Sequence, residues 1–260
     1  MARFTGGDDL RDAEFVRADL EGAWFRDTKL RGVRVRGSDL SGAELDGLID
    51  GLTIYGVEVA PLVGAELDRR HPERAVCHAT DPEAVRDGWS GLEAMWAATV
   101  ERVKTMPPGT PDISVDGEFS FSQTLRHLVL AIDGWLGQAI LRKSKPFHEY
   151  GVLFWEAQGN EEHFGLVGRD ARVAFDEVLE VRADRVAMVR EFLTDATQET
   201  LDRVCGGAVW DDASDAAEMT VLQCLRVIFN EEWHHHRYAV RDLDAIDAGR
   251  GDLRDVTSAT

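Results

Sequence analysis

Two polar residues in the C-terminal part of the chain have a spacing that could hold a metal ion. They belong to a seam within the segment 217–246 whose members are alternately three and four residues apart: Leu222, Leu225, Phe229, Glu232, His236, Ala239 and Leu243. Because the other members are apolar, Glu232 and His236 are expected to point inward and to be neighbours on one helix face. A carboxylate oxygen and an imidazole nitrogen placed in this way could clamp a metal such as zinc.

His127 could supply a third ligand from another helix. The residues that share its predicted helix face are mostly small, and they are Ser120, Thr124, Ala131, Gly134 and Gln138. Such a face leaves space beside the imidazole. Together, His127, Glu232 and His236 would form a site with two histidines, one glutamate and an open fourth position, which is the pattern of catalytic rather than structural zinc.

Other interpretations of these residues remain open. A buried carboxylate needs a partner, so Glu232 and His236 could instead form a salt-bridged group with an arginine. His235 is three residues from Glu232 and is therefore a rival to His236 as a ligand. The triplet His234–His236 could be a loose surface metal tract, and a lone histidine such as His127 is more often a core or surface residue than a ligand.

Four long helices would have to position these side chains. Apolar stripes and end signals predict helices over about 82–105, 120–142, 171–194 and 217–246. Four helices of this length with one apolar face each indicate a bundle. A short helix or connector is predicted over 63–72, where it ends at a proline.

A long loop at about 144–170 is rich in glycine, charged residues and aromatic residues. Loops of this length inside a compact domain usually have a function, for example as a lid. Besides this loop, Arg237, Asp133 and Trp135 are candidates for contacts with a substrate.

Residues 7–46 repeat with a period of five. A small residue usually stands two positions before each large apolar one, and the large ones are Leu10, Phe15, Leu20, Phe25, Leu30, Val35, Leu40 and Leu45. The period matches neither the roughly 3.6 residues of a helical turn nor the roughly 2 of a strand. It predicts a chain that turns a corner every five residues, with stacked coils that bury a column of apolar side chains. After Leu45 the phase slips by one residue, which suggests a terminal cap containing Ile49, Ile54 and Val59.

The formal net charge of −19 is unevenly distributed. Residues 1–50 hold 8 basic and 11 acidic side chains, a net charge of −3, and residues 51–260 carry the remaining −16. Net acidity disfavours binding to nucleic acids and to anionic membrane surfaces. A protein that imitates DNA should concentrate its negative charge on the repeats, and this chain does not.

Cysteine usage and hydropathy predict a cytoplasmic protein. Cys77, Cys205 and Cys224 are too few and too scattered for a disulfide scaffold, so reduced thiols are expected. No apolar run approaches the roughly 20 residues of a membrane span. The N-terminal residues contain no hydrophobic segment of the kind found in secretory signals.

The five-residue pattern resembles the pentapeptide-repeat family, with its A-(D/N)-L-x-x motif. This resemblance implies a right-handed quadrilateral β-helix with about four repeats per coil, so the eight repeats would form about two coils. Some members of that family imitate DNA and bind type II topoisomerases. The charge distribution argues against such a role for this chain.

The remainder, about residues 80–246, resembles the DinB/YfiT-like superfamily. The residues that carry the resemblance are Thr124-Leu-Arg-His127-Leu and Glu232-Trp-His-His-His236-Arg237. Many members have metal-binding histidines on the second and fourth helices, with an H-x-x-x-H-R motif on the fourth. Here Glu232 replaces the first of these histidines, and that variant resembles mycothiol-dependent maleylpyruvate isomerase, which holds zinc with such a trio.

These observations predict a chain that is part α and part β. A β-helix of pentapeptide repeats would occupy 1–60, a connector 61–80, an up-down four-helix bundle 81–246 and a C-terminal tail 247–260.

The resemblance implies an enzyme that depends on a divalent metal. Zinc is the expected ion, although nickel or iron would suit the same ligands. The enzyme would use a low-molecular-weight thiol of the mycothiol type to modify or isomerise a small electrophile. The alternative is a non-catalytic pentapeptide-repeat interaction protein, either a DNA mimic or a protein that docks a partner, with the bundle as a scaffold. No nucleic-acid or membrane partner is expected, and pairing of bundles into a homodimer stays open.

Overall fold

The structure is a computed structural model, and it describes residues 3–5, 8–154, 157–206 and 218–249. The chain divides into two compact units, Met1–Leu45 and Asp46–Thr260. The greater part of the predicted C-terminal tail, from residue 250 onward, lies outside the described residues.

The backbone of the first unit follows the five-residue period of the sequence. Left-handed backbone conformations recur at Asp12, Arg17, Gly22, Asp27, Gly32, Gly37 and Gly42. Turn hydrogen bonds also recur, from the amide of Ala13 to the carbonyl of Leu10 and from that of Ala23 to Leu20. Glycine adopts the left-handed conformation without steric cost, and aspartate tolerates it better than most residues. The repeats therefore turn the chain at the interval that their spacing predicts.

The sequence predicts that the column of large apolar residues is buried, and this prediction is wrong for the described repeats. The eight large apolar residues are 43–68% exposed, with Leu30 the most covered and Leu45 the least. Among the described residues of this unit no β-strand forms, so the quadrilateral β-helix is not confirmed. The physical reason is the small number of repeats. Two coils give each coil at most one stacked neighbour, and a solenoid buries its core only between neighbours.

The second unit begins with a short hairpin at the place where the phase of the repeat slips. Its strands are β1 (Thr53–Ile54) and β2 (Val57–Glu58), which pair antiparallel with Ile54 opposite Val57. Tyr55 and Gly56 form the turn with φ values of 51° and 79°, as a two-residue hairpin of this kind requires. The predicted connector is helical: α1 spans Ala60–Arg70, and a 3₁₀ helix spans Pro72–His78.

Four long helices follow in the described part of the chain, and three of them lie close to their predicted bounds. They are α2 (Pro82–Thr105), α3 (Phe121–Ile132), α5 (Phe175–Thr194) and α7 (Val221–Asp247), with short helices α4 (Glu161–Phe164) and α6 (Gln198–Asp202) between them. Capping side chains mark the starts of three of these long helices, α2, α3 and α7. Ser120 and Thr220 each accept a hydrogen bond from a backbone amide three residues later, and Asp81 does the same for α2.

Helix α3 differs from the predicted continuous helix. It passes at Asp133 into a π-helix, Asp133–Ile140, whose residues are almost all buried. The main core lies between this π-helix, α2, α5 and α7, and it includes the tilted ring pair Trp89 and Phe229. None of the helices in the described part of the chain combines the length and apolarity needed to cross a membrane.

Candidate metal centre

Three side chains from two helices converge on one point. His127 of α3 and Glu231 and His235 of α7 each offer a ligand atom, and these atoms all lie within 4.8 Å of one another. His127 is buried, whereas Glu231 and His235 are half-buried. Glu231 and His235 are four residues apart, so they share one helix face. Two imidazoles and a carboxylate form a donor set that suits zinc and related divalent metals.

The structure places this trio one residue earlier on α7 than the sequence pattern predicts. Glu232 does point into the core, where it is 1% exposed, but its carboxylate accepts a hydrogen bond of 2.5 Å from Arg182 of α5. His236 Nε2 lies 2.8 Å from the Thr99 hydroxyl of α2. His127 is therefore brought together with Glu231 and His235, while Glu232 and His236 have other partners.

The difference follows from the geometry of a helix. Each step of one residue rotates a side chain by about 100° around the axis. The centre of the apolar stripe of α7, which contains Glu232, faces Arg182 of α5. The edge of the stripe, which contains Glu231 and His235, faces His127 of α3. The sequence does contain the Glu231–His235 pair at the right spacing, but nothing in the sequence states which edge faces α3.

The hydrogen bonds of His127 decide which of its nitrogens carries the proton. Its Nδ1 lies 3.0 Å from the carbonyl oxygen of Val152, which can only accept, so Nδ1 is assigned as the N–H donor. In a neutral ring, Nε2 then has a lone pair. That lone pair faces a Glu231 carboxylate oxygen at 3.3 Å. Two electron pairs in such contact require a cation, either a proton on Nε2 or a metal ion bound by both groups.

His235 is oriented in a similar way. Its Nδ1 lies 3.0 Å from the backbone carbonyl oxygen of Glu231, one helical turn earlier. The same nitrogen also lies 3.3 Å from a Glu231 carboxylate oxygen, and both oxygens can only accept, so Nδ1 is assigned as the N–H donor and the lone pair of the neutral ring is on Nε2. The rings of His127 and His235 have centroids 4.7 Å apart. Metal-binding histidines commonly donate their second N–H to a carbonyl in this manner, which holds the ring in place.

The electrostatics of the trio favour metal-binding protonation states for two of its members. Burial acts to raise the pKa of Glu231, but the hydrogen bond and charge of His127 outweigh it and lower that pKa to about 2. Burial, together with the neighbouring His127, lowers the pKa of His235 to about 4. For His127, burial acts to lower the pKa, and the Glu231 carboxylate reverses the shift and raises it. At neutral pH the carboxylate is ionised and His235 is neutral, as metal ligands must be.

Two half-buried aromatic rings flank the imidazoles. The Phe119 ring lies 5.6 Å from that of His127, and the Tyr238 ring lies 6.0 Å from that of His235. The Tyr238 hydroxyl donates a hydrogen bond of 3.2 Å to Asp46. These rings place apolar surface beside the trio.

The predicted lid, 144–170, is bound tightly to α3 over its described residues. The buried guanidinium of Arg126 donates to four backbone carbonyl oxygens, those of Tyr150, Gly168, Arg169 and Ala171. The amide of Val152 donates in turn to the Arg126 carbonyl at 3.3 Å. Arg126 therefore holds the segment whose Val152 carbonyl orients His127, and this segment forms a fixed wall of the site. Trp155 of the predicted loop lies outside the described residues.

The three residues suggested for substrate contacts are engaged elsewhere in the fold. Asp133 is 1% exposed and accepts hydrogen bonds from Arg185 at 2.6 Å and from the His148 amide at 2.8 Å. Trp135 belongs to the main core. The Arg237 guanidinium lies 5.0 Å from the centre of the Trp233 ring. Their role in substrate contacts stays a prediction.

Comparison with known families decides the identity of the bundle. The sequence model of the DinB superfamily matches residues 91–239, which is more than half of the chain and includes all three residues of the trio. The chain belongs to the DinB superfamily. A second model, pentapeptide repeats (8 copies), matches residues 9–32, so the DinB domain follows an N-terminal pentapeptide-repeat region, as the sequence predicts. Comparison with curated proteins and with solved structures gives no significant match.

Proposed function

We propose that the DinB domain binds one divalent metal ion through His127, Glu231 and His235. The observation that carries this proposal is the contact of 3.3 Å between His127 Nε2 and the Glu231 carboxylate, in a ring whose Nδ1 already donates to Val152. A metal ion would satisfy both electron pairs at once. Zinc suits two imidazoles and a carboxylate best, and nickel or iron would accept the same set.

We infer that the metal serves a thiol-dependent reaction on a small electrophile, either S-transfer or isomerisation. A bound divalent metal supplies Lewis acidity, which lowers the pKa of a thiol or a water in its open position. Around it, Glu231 contributes negative charge, and the two histidines are held by backbone carbonyls. Phe119 and Tyr238 place apolar surface beside the two imidazoles.

The thiol should come from a small molecule, because the cysteines of the chain are inside the fold. Cys77, Cys205 and Cys224 are free and buried. Cys224 is on the same helix as Glu231 but seven residues before it, which is about two turns. A mycothiol-type thiol is the co-substrate that the resemblance to maleylpyruvate isomerase implies.

Thiol consumption tests the chemical part of the proposal. Full-length protein, purified without a His tag and loaded with zinc, is incubated with mycothiol or glutathione and the general electrophile chlorodinitrobenzene. We expect conjugate formation that is lost on chelation, restored by zinc, and lost in the His127→Ala variant. The matched control is His234→Ala, which removes a half-buried histidine of the same triplet that is outside the trio. Conjugation that is unaffected by chelation and by His127→Ala would contradict the proposal.

A second candidate function is partner docking by the repeats, with the bundle as a scaffold. The observation that favours it is the exposure of the large apolar residues of the repeats, which is 43–68%. Apolar surface on this scale commonly marks an interaction site. If the protein only docks a partner and catalyses no reaction, we expect the wild-type protein to carry no stoichiometric metal. In either case, we propose that the repeats form a right-handed quadrilateral β-helix when their coils are stacked.

A further inference from the structure

Two of the three cysteines are close neighbours within the core. The Sγ atoms of Cys205 and Cys224 are 3.6 Å apart. Cys205 is 8% exposed and Cys224 is 0% exposed. Cys205 follows α6, and Cys224 lies in the first turn of α7. The pair therefore joins two segments that are 19 positions apart in the sequence.

Backbone hydrogen bonds hold the two segments together on both sides of the thiols. The Cys205 amide donates to the Met219 carbonyl at 2.9 Å, and the Val221 amide donates to the Arg203 carbonyl at 2.9 Å. These bonds accompany an antiparallel bridge between Val204 and Thr220. The sulfur atoms are thus kept close by the backbone. A disulfide bond requires an S–S distance of about 2.05 Å, so the sulfurs must approach by about 1.5 Å.

We propose that Cys205 and Cys224 are a modification site, at which a peroxide oxidises the two thiols to a reversible disulfide. The Cys205 sulfur, as the more exposed, attacks one peroxide oxygen, the O–O bond breaks, and the departing oxygen takes the thiol proton to leave as water. Cys205 is then a sulfenic acid. The Cys224 sulfur attacks the Cys205 sulfur, the S–O bond breaks, and the hydroxyl leaves with the Cys224 proton as a second water. Two thiols are oxidised and one peroxide is reduced to two waters.

The environment of Cys224 fits the second of these roles. Burial, with the Cys205 sulfur adding to it, raises the pKa of Cys224 to about 12. A buried, protonated thiol is a poor nucleophile, so Cys224 does not react first, and its fixed position 3.6 Å from the Cys205 sulfur is what allows it to resolve the sulfenic acid. Formation of the disulfide prevents further, irreversible oxidation of Cys205. The bond would also attach the start of α7, the helix that carries Glu231 and His235, to the segment after α6.

Peptide mapping of the full-length protein tests the proposal. Reduced protein is treated with equimolar hydrogen peroxide, alkylated under denaturing conditions and digested without reductant by a protease that cleaves at aspartate, because the sequence between the two cysteines contains aspartates but no lysine or arginine. We expect one cross-linked peptide pair that contains Cys205 and Cys224 and lacks two hydrogen atoms, while Cys77 is alkylated. The cross-link should raise Tm by roughly 6–12 °C, reversibly with dithiothreitol, because it closes a loop in the unfolded chain.

Four variants make the test specific. Cys77→Ser should still form the cross-link, whereas Cys205→Ser and Cys224→Ser should not. His235→Ala should form it as well, since the reaction does not need the metal, and this result separates the proposal from the metal centre. Wild-type protein that keeps three alkylatable thiols, that pairs Cys77, or that accumulates sulfinic acid at Cys205 without a disulfide would overturn the proposal.

Discussion

Removal of Arg182 should show how much free energy of unfolding is lost when the buried Glu232 carboxylate has no cationic partner. Glu232 is 1% exposed, and its carboxylate lies 2.5 Å from the Arg182 guanidinium. An Arg182→Met variant keeps the packing volume but leaves a buried charge without its partner. Breaking a buried pair from one side costs about 3–5 kcal/mol. We expect the free energy of unfolding to fall by that amount at neutral pH.

The size of this loss should depend on pH. Burial raises the pKa of Glu232 above its ordinary value of 4.5, and Arg182 offsets part of that shift, so its removal raises the pKa further. When the pKa of a carboxyl is higher in the folded than in the unfolded protein, its protonation stabilises the fold. This stabilisation is fully present below the pKa of the unfolded protein and is lost as the pH rises through the pKa of the folded protein. The difference between wild type and Arg182→Met should therefore be smallest near pH 4.5 and largest at neutral pH.

Urea denaturation at about pH 5 and at neutral pH measures this difference. The double variant Arg182→Met, Glu232→Gln should recover most of the loss at neutral pH, because the side chain at position 232 is then uncharged. It should also retain metal, since Glu232 is outside the trio. A single-variant loss below about 1 kcal/mol, or one that does not change with pH, would refute the reasoning.

The remaining predictions concern the wall of the site and the packing of α2. Arg126→Gln should release the segment 150–171, which increases its hydrogen–deuterium exchange and weakens metal affinity by roughly 10–100-fold. Unchanged exchange there would exclude a clamping role for Arg126. Gly88→Ala should destabilise the protein by about 1–3 kcal/mol, because the added methyl group would overlap the side chain of Val76. Gly91→Ala is the matched control: its Cβ meets nothing within 4 Å, so its Tm should stay level or rise.

The helices of the bundle could be predicted from the sequence because their signals are local. The bounds of α2 are the predicted ones, and Ser120 caps α3 where the predicted helix begins. The turn every five residues in the repeats is also local, since it depends on residues such as Gly32 and Gly42 that tolerate a left-handed backbone. Burial of the repeat side chains depends on contacts between coils, and the sequence period does not state whether those form.

The candidate site could be predicted only in part. The type of donor set, two histidines and a glutamate from the second and fourth long helices, agrees with the sequence prediction, and His127 is a member of both trios. The register on α7 could not be predicted, because an apolar stripe indicates which way a helix faces but not which neighbour lies at each edge. The partner of Glu232 could also be predicted only in part. The sequence allows an arginine partner, but only the packing of α5 identifies that arginine as Arg182.

Metal content of paired histidine variants tests the central claim most directly. Wild type, His235→Ala and His236→Ala are purified without a His tag, loaded with zinc, desalted and measured by plasma mass spectrometry. The trio His127, Glu231 and His235 predicts about one zinc ion per chain in wild type and in His236→Ala, and its loss in folded His235→Ala. Loss in His236→Ala with retention in His235→Ala, or wild type without stoichiometric metal, would contradict it.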